Sequence, residues 1–359
     1  MATVDDSAAQ DADIRIPLVD FSCWDKGSQE ERLKIAQNLV AACKTVGFVY
    51  IVNHDISPDK LSQAFSWSKK FFDLSPEQKL SAPHPEGSSA HRGYSWPGLE
   101  KVSQVMSDKD DPELAKKLRQ ITDYKESYDI GSDQDVYQPN VWIPEETLPG
   151  FRAFMTEFYW ECFAAASNIL RAIAIGIGLE EDYLLKIHSG HNNQLRLLHY
   201  PPLPAAALES EQFARMPAHT DWSSITMLFQ DDVGGLEVED INRLGYFVPA
   251  TTIKNAIVMN VGDLLQRWSN DELRSTSHRV TLPPLSDRFA GADRMVSERY
   301  SIPYFLAPDV TSVVECLPTC VSDEKPARYL PITQGEYNRM RSQMHYPDKA
   351  TEPGTGAAY

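Results

Sequence analysis

In the run RMPAHTDWSSITMLFQDDVGGLEV, which begins at Arg215, a histidine and an aspartate flank one threonine: His219, Thr220, Asp221. The surrounding residues have strand composition, and in a strand residues i and i+2 point to one face, so imidazole and carboxylate can converge on one small object. A metal ion fits that description if a second strand adds a third ligand, and STSHRVTLPP offers His278. A helix-borne HExxH zinc motif is absent. Two imidazoles and one carboxylate on one face of an octahedral ion leave three positions open, the arrangement of non-haem Fe(II) oxygenases. Those positions must take an oxidisable chelate and O₂ together. An HxD pair alone is common and also fits a surface turn or a satisfied buried pair.

A second motif sharpens the reading. In RYSIPYFLAP, Arg299 and Ser301 are again at i and i+2, with Phe305 further along the same strand face. A guanidinium buried in a barrel needs a partner, and a dicarboxylate supplies one through a bidentate charge-assisted pair, with the serine hydroxyl as a third contact. The competing use of Arg299 is a surface ion pair with an acid such as Glu298.

These side chains need strands to carry them. From about Gln194 the chain becomes a series of short β-rich runs broken by Pro, Gly, Asn and Asp, which predicts a mainly β sandwich or barrel. Ahead of it, RIPLVDF (Arg15 to Phe21) and GFVYIVNHDI (Gly47 to Ile56) read as strands on either side of an amphipathic helix. Ser57-Pro58 and Ser75-Pro76 mark helix starts, and a long helix is expected over roughly Leu148 to Leu179. The polar opening predicts a disordered tail over 1–14, and the Pro/Gly-rich close predicts a flexible tail over 346–359. Between them, 15–345 reads as one domain: a helix and strand region over 15–125, a β core over 194–310 and a C-terminal helix over 333–345.

Composition limits the partners. The chain has 359 residues, and 51 acidic against 34 basic side chains give a formal charge of −17, which argues against nucleic acid or an anionic membrane surface. No apolar run reaches bilayer length and the acidic start is unlike a secretory signal, so a soluble cytoplasmic protein is expected. The five scattered cysteines read as reduced thiols; Cys316 and Cys320, the only close pair, lack the companions of a zinc site. Composition does not address oligomeric state.

Taken together, HTD, STSHRV and RYSIPYF, preceded by LRLLHYPP and NVGDLLQRWSND, resemble the plant and fungal branch of the 2-oxoglutarate- and Fe(II)-dependent dioxygenases, which includes isopenicillin N synthase, flavonoid oxygenases and gibberellin oxidases. RIPLVDF and GFVYIVNHDI resemble that family's first strands, so the likeness runs from about Arg15 to about Arg341. It implies a double-stranded β-helix, or jelly roll, with flanking helices. It also implies that His219, Asp221 and His278 bind Fe(II), that Arg299 and Ser301 clamp the distal carboxylate of 2-oxoglutarate, and that Tyr200 stands near its metal-proximal end. Leu198 occupies a position where the family often has Asn. The segment from His278 to Arg299 is longer than is common in plant members and holds Arg288 and Arg294, neither of which begins an R-x-S strand.

The activity so implied consumes O₂ and 2-oxoglutarate, releases succinate and CO₂, and oxidises a substrate C–H bond by hydroxylation, desaturation, ring closure or ring expansion. Asp221 keeps the ligand position that a halide would need. Expected pocket walls are Phe305, Trp222, Arg196 on the face shared with Leu198 and Tyr200, and Tyr94 and Trp96 from the loop HRGYSWPG. Aromatic walls suggest a small, largely apolar natural product of secondary metabolism. An isopenicillin N synthase-type oxidase, using O₂ without 2-oxoglutarate, is the second reading. A non-catalytic binding protein on the same barrel would tolerate loss of a ligand or clamp residue, and all five are present. His54 is expected to be structural, and His199 to point away from the face of Tyr200.

Overall fold

The computed structural model describes residues 15–86, 91–99, 122–209, 213–282 and 295–345. The expected tails, Arg288 and Arg294 lie outside them. Among the described residues no helix is long and apolar enough to cross a membrane.

Two sheets carry the site. The larger has the order β1 (Leu18–Asp20), β2 (Phe48–Val52), β10 (Ile257–Val261), β7 (Ile225–Gln230), β12 (Arg299–Leu306), β5 (Gln194–Tyr200), β4 (Glu126–Ile130), β3 (Gly93–Ser95). The smaller has the order β9 (Phe247–Pro249), β8 (Leu236–Glu239), β11 (His278–Val280), β6 (Met216–His219). Only β1 and β2 pair in parallel within these sheets, and the connection between them is the helix that a parallel crossover requires. That helix, α1 (Gln29–Thr45), starts at a capping box in which Ser28 and Glu31 satisfy each other's backbone N–H groups.

Strand alternation sorts the side chains. On β12, Tyr300, Ile302, Tyr304 and Leu306 enter the core beneath the helices, while Arg299, Ser301, Pro303 and Phe305 face a cavity between the sheets. On β5, Leu195 and Leu197 face the helices, and Arg196, Leu198 and Tyr200 face the cavity. The helix-side core is closed by α1, by α2 (Pro58–Phe72) and by α4 (Phe151–Gly176), the last following the short α3 (Pro76–Lys79). Helix α4 is apolar on most of its surface, as burial between α1 and the sheet demands. Its last residue is glycine because a Cβ at Gly176 would stand 2.5 Å from the carbonyl oxygen of Ala36 on α1.

One buried histidine ties this core to the strands of the site. His188 donates from Nδ1 to the carbonyl of Leu184 at 2.7 Å, and its Nε2 accepts from the Ser224 hydroxyl at 3.0 Å, just ahead of β7. Burial pulls its pKa down from 6.5 to about 4. The unfolded chain therefore takes up this proton first, so the stabilisation is complete above about pH 6.5 and is lost as pH falls through about 4. Urea unfolding of the metal-free protein across this window should show stability falling with acid, with a residual slope from His219. His188→Asn should be less stable at neutral pH and lose it less steeply on acidification; an unchanged slope would remove His188 from the account.

Candidate active site

Strand β6 ends at His219 and the chain turns, so Asp221 lies just beyond the strand. Antiparallel pairing sets His278 of β11 directly opposite His219, with ring centroids 4.3 Å apart. Nε2 of each imidazole is 3.8 Å from Oδ1 of Asp221, and the three ligand atoms lie within 4.8 Å of one another. The Nδ1–H of His219 donates to the carbonyl of Pro217 at 2.8 Å, and that of His278 to Thr276 at 3.3 Å. Both bonds select the tautomer whose lone pair sits on Nε2, toward the carboxylate.

Asp221 is oriented as firmly. Its Oδ2 accepts from the Thr226 hydroxyl at 2.6 Å and the Asn260 amide at 2.8 Å, which leaves Oδ1 to the imidazoles. Burial opposes the charged carboxylate, but the two histidines and these two hydrogen bonds outweigh it and hold its pKa below the usual value. Burial, together with the adjacent His278, pulls His219 down to about 4 despite the attraction of Asp221. At neutral pH the set therefore offers a lone pair on His219 and a negative oxygen on Asp221, a donor set suited to Fe(II).

The segment NVGD, which begins at Asn260, is part of this site. Asn260 on β10 lies in register with Thr226 on β7, which is why both reach the same oxygen. Two and three residues on, the Gly262 N–H donates to the Ser224 carbonyl at 2.9 Å and the Asp263 N–H to that of Asp221 at 2.7 Å. A Cβ at Gly262 would come within 2.0 Å of the Ser223 carbonyl oxygen, so only glycine lets these backbones meet.

Across the cavity, Arg299 is 1% exposed. Its Nη1 donates to the Ser301 hydroxyl at 3.0 Å and Nη2 to the side-chain amide oxygen of Gln230 at 3.1 Å, while Nε has no partner among the described residues. These acceptors are neutral, so the guanidinium is a buried cation ready for a carboxylate, the feature that fits a keto dicarboxylate ligand. Tyr200 pairs with Arg299 in register, and the guanidinium lies 5.1 Å from its ring centre. The metal triad, Arg299, Ser301 and Tyr200 all line one cavity of about 300 Å³, together with Arg196, Leu198, Trp222 and Phe305.

Two expected wall residues are not in that lining among the described residues. Tyr94 turns into the helix-side core against Phe71 and donates its hydroxyl to Glu126 at 2.6 Å, while Trp96 is 43% exposed. Their loop reaches the cavity through His91 and Arg92 instead, the latter anchored on Asp135 at 2.8 Å. His54 bonds the Asn255 carbonyl, and His199 bonds Glu126 and stacks on Tyr300, so both serve packing. Sequence reading missed a set of amides in the lining: Gln138, Asn192, Asn193, Gln194, Gln334 and Asn338. Gln194 shares the β5 face of Arg196, where strand alternation announces it; Gln138, Asn192, Asn193, Gln334 and Asn338 lie outside the strands, and no spacing relates them to the site.

Known proteins agree with this geometry. Residues 16–145 match the family model described as the non-haem dioxygenase in morphine synthesis N-terminal region, and residues 191–308 match the 2OG-Fe(II) oxygenase superfamily. Proline hydroxylase buaE of Petromyces alliaceus is 40% identical over 334 residues, 92% of this chain and 99% of that protein. The 2-oxoglutarate-Fe(II) type oxidoreductase ppzD of Metarhizium rileyi is 37% identical over 92% of each chain. The crystal structure of a full-length Neurospora crassa protein in complex with alpha-KG and thymine superposes with a TM-score of 0.80 at 39% identity, covering 92% of this chain and 96% of that one. The chain belongs to the 2-oxoglutarate and Fe(II)-dependent oxygenase superfamily, with its double-stranded β-helix fold. It is a dioxygenase that uses Fe(II), 2-oxoglutarate and O₂.

If the two bonds to Oδ2 aim Asp221, then Thr226→Val and Asn260→Ala should each weaken Fe(II) binding by about 10- to 100-fold while the protein stays folded. Titration with Fe(II) under anaerobic conditions, alongside circular dichroism, measures both. His219→Ala or His278→Ala should cost far more. Wild-type affinity in the Thr226 and Asn260 variants would mean that the carboxylate is oriented by the turn alone.

Proposed function

We propose that this enzyme oxidises a C–H bond of a small natural product held in the cavity between Trp222 and Phe305, with His219, Asp221 and His278 as the iron ligands. The carrying observation is that these two aromatics share one lining with the triad, with the Arg299 and Ser301 clamp and with Tyr200. Bound Fe(II), 2-oxoglutarate and O₂ supply the oxidant, and the keto acid leaves as succinate and CO₂.

The chain's own residues then decide what is presented to the metal. Arg299 and Ser301 hold the distal carboxylate of the cosubstrate at one end of the cavity. Trp222, next to Asp221, is braced by the Arg341 guanidinium 5.5 Å from its ring, which keeps the wall in place beside the metal. Arg196 has its charge met by Asp129 through bonds of 2.6 and 2.9 Å, so the wall does not call for an anionic substrate. The amides of Gln194, Asn192 and Gln334 add donors and acceptors to the aromatic surfaces, which narrows the expected largely apolar substrate to one that also carries hydrogen-bonding groups. Relatives support this class: one is named as a proline hydroxylase and one was crystallised with thymine, both small polar ring compounds. Fungal relatives such as gloF and imqE are likewise named as 2-oxoglutarate-dependent dioxygenases.

The test is a turnover assay over small heterocycles and amino acids, proline and thymine included, that quantifies succinate against oxidised product. One succinate should appear per product. Trp222→Ala and Phe305→Ala should raise the substrate KM about 10-fold or more, the cost of one lost pocket contact, and leave the 2-oxoglutarate KM nearly unchanged. Unchanged substrate KM in both variants would place the substrate elsewhere.

A further inference from the structure

A second guanidinium lies behind the clamp, outside the cavity lining. Arg215, immediately before β6, is 0% exposed. Its Nη2 donates to the Ser297 carbonyl, and among the described residues Nε and Nη1 have no hydrogen-bond partner. It lies 5.7 Å from the centre of the Tyr200 ring, and Arg299 lies 5.1 Å from the same ring. Two cations therefore share one aromatic ring, and they repel each other.

Among the described residues the carboxylate that offsets them is Asp231, which attracts both guanidinium groups and is itself held by the N–H groups of Tyr300 and Val233. Asp231 is only half-buried, so among the described residues two fully buried cations face one partly solvated anion, which leaves positive charge in excess. A buried unpaired charge is costly, and an apolar residue of similar volume would make a more stable core at position 215. The imbalance disappears when a carboxylate reaches Arg299, because two guanidinium groups then face two carboxylates.

We propose that Arg215 is a positioning residue that fits the site to a dicarboxylate cosubstrate: through Tyr200 and Arg299 it holds the extra positive charge that only a ligand with a distal carboxylate neutralises. It does not touch the keto acid. Its effect should be on the discrimination between 2-oxoglutarate and a 2-oxo acid of the same chain length lacking the distal carboxylate, and not on the metal or the substrate.

The test is isothermal titration of the Mn(II)-loaded protein with 2-oxoglutarate and with 2-oxopentanoate, which needs no turnover. Arg215→Gln should weaken 2-oxoglutarate by about 10-fold or more, the scale of a lost desolvated charge interaction, and move 2-oxopentanoate by less than about 2-fold. Arg215→Lys should recover most of the loss, because it restores charge without the guanidinium hydrogen bonds. Arg299→Gln, with Arg215 intact, should keep a residual preference for the dicarboxylate. An equal loss for both ligands in Arg215→Gln would mark a merely structural residue, and unchanged 2-oxoglutarate affinity would remove it from the site. Should Arg215→Gln fail to fold, the Lys and Arg299→Gln proteins decide: no residual preference for the dicarboxylate in Arg299→Gln overturns the proposal.

Discussion

The site depends on holding one carboxylate with only one oxygen free. Asp221 stands in a turn, where nothing in the strand ladder fixes its side chain, and it must still face two imidazoles that come from the opposite sheet. Thr226 and Asn260 solve this from adjacent strands of the larger sheet, and the register of those strands makes the two donors converge. The cost of burying the charge is offset by the same contacts, since each hydrogen bond and each neighbouring imidazole favours the ionised form. The direction in which the free Oδ1 points is thus a consequence of how β7 pairs with β10.

The molecule treats its other buried charges in two ways. Some are matched within the chain: Arg196 with Asp129, Arg92 with Asp135, and Lys79 with Glu126, which also accepts from Tyr94 and His199. These pairs brace the strands and the loop behind the cavity, and removing one partner would strand the other in a low-dielectric interior. Arg299 is different, since its partners among the described residues are neutral and one nitrogen has none. Arg215 also lacks a carboxylate hydrogen-bond partner among the described residues, but of the two only Arg299 lines the cavity, and that position marks it as the candidate binding arginine.

What could be read from the sequence follows the period of the strand. Alternation puts Arg299, Ser301 and Phe305 on one face and Arg196, Leu198 and Tyr200 on another, and both sets do face the cavity. The same rule correctly turns His199 to the opposite side of its strand from Tyr200. Aromatic content, by contrast, says nothing of direction, and so the loop HRGYSWPG misleads: Tyr94 belongs to a strand whose side chain enters the helix-side core. Alternation also reaches Gln194, two residues before Arg196 on the same face of β5, but it could not have found Asn260 or the other amides, whose relation to the site is set by register between strands and by segments distant in sequence. Asp221 was found for a reason that is only half right, because it completes the triad from the turn and not from the strand face.

A division of labour follows between what the sheets fix and what the periphery adds. The His219, Asp221 and His278 triad and the Arg299 and Ser301 pair are held by strand pairing and by contacts within the β core. Beside the strand residues Arg196, Leu198 and Phe305, much of the rest of the cavity lining comes from other places: Trp222 from the turn, Gln138 and Asn192 from loops, and Gln334 and Asn338 from the C-terminal helix α6 (Gln334–His345), after the short α5 (Asp263–Trp268). The two parts meet at Asp263, which opens α5, bonds the Thr220 hydroxyl at 3.0 Å and pairs with Arg341 of α6 at 2.7 Å. Arg341 in turn covers Trp222. The helix is therefore tethered to the turn that carries Asp221, so the wall stays in registration with the metal while most of its lining residues take no part in holding the ligands. Such a layout lets one oxidising centre accept different molecules by changes in residues that the β core does not depend on. Relatives of 39 and 40% identity are consistent with it, since they share the oxygenase class while one was crystallised with thymine and the other is named a proline hydroxylase.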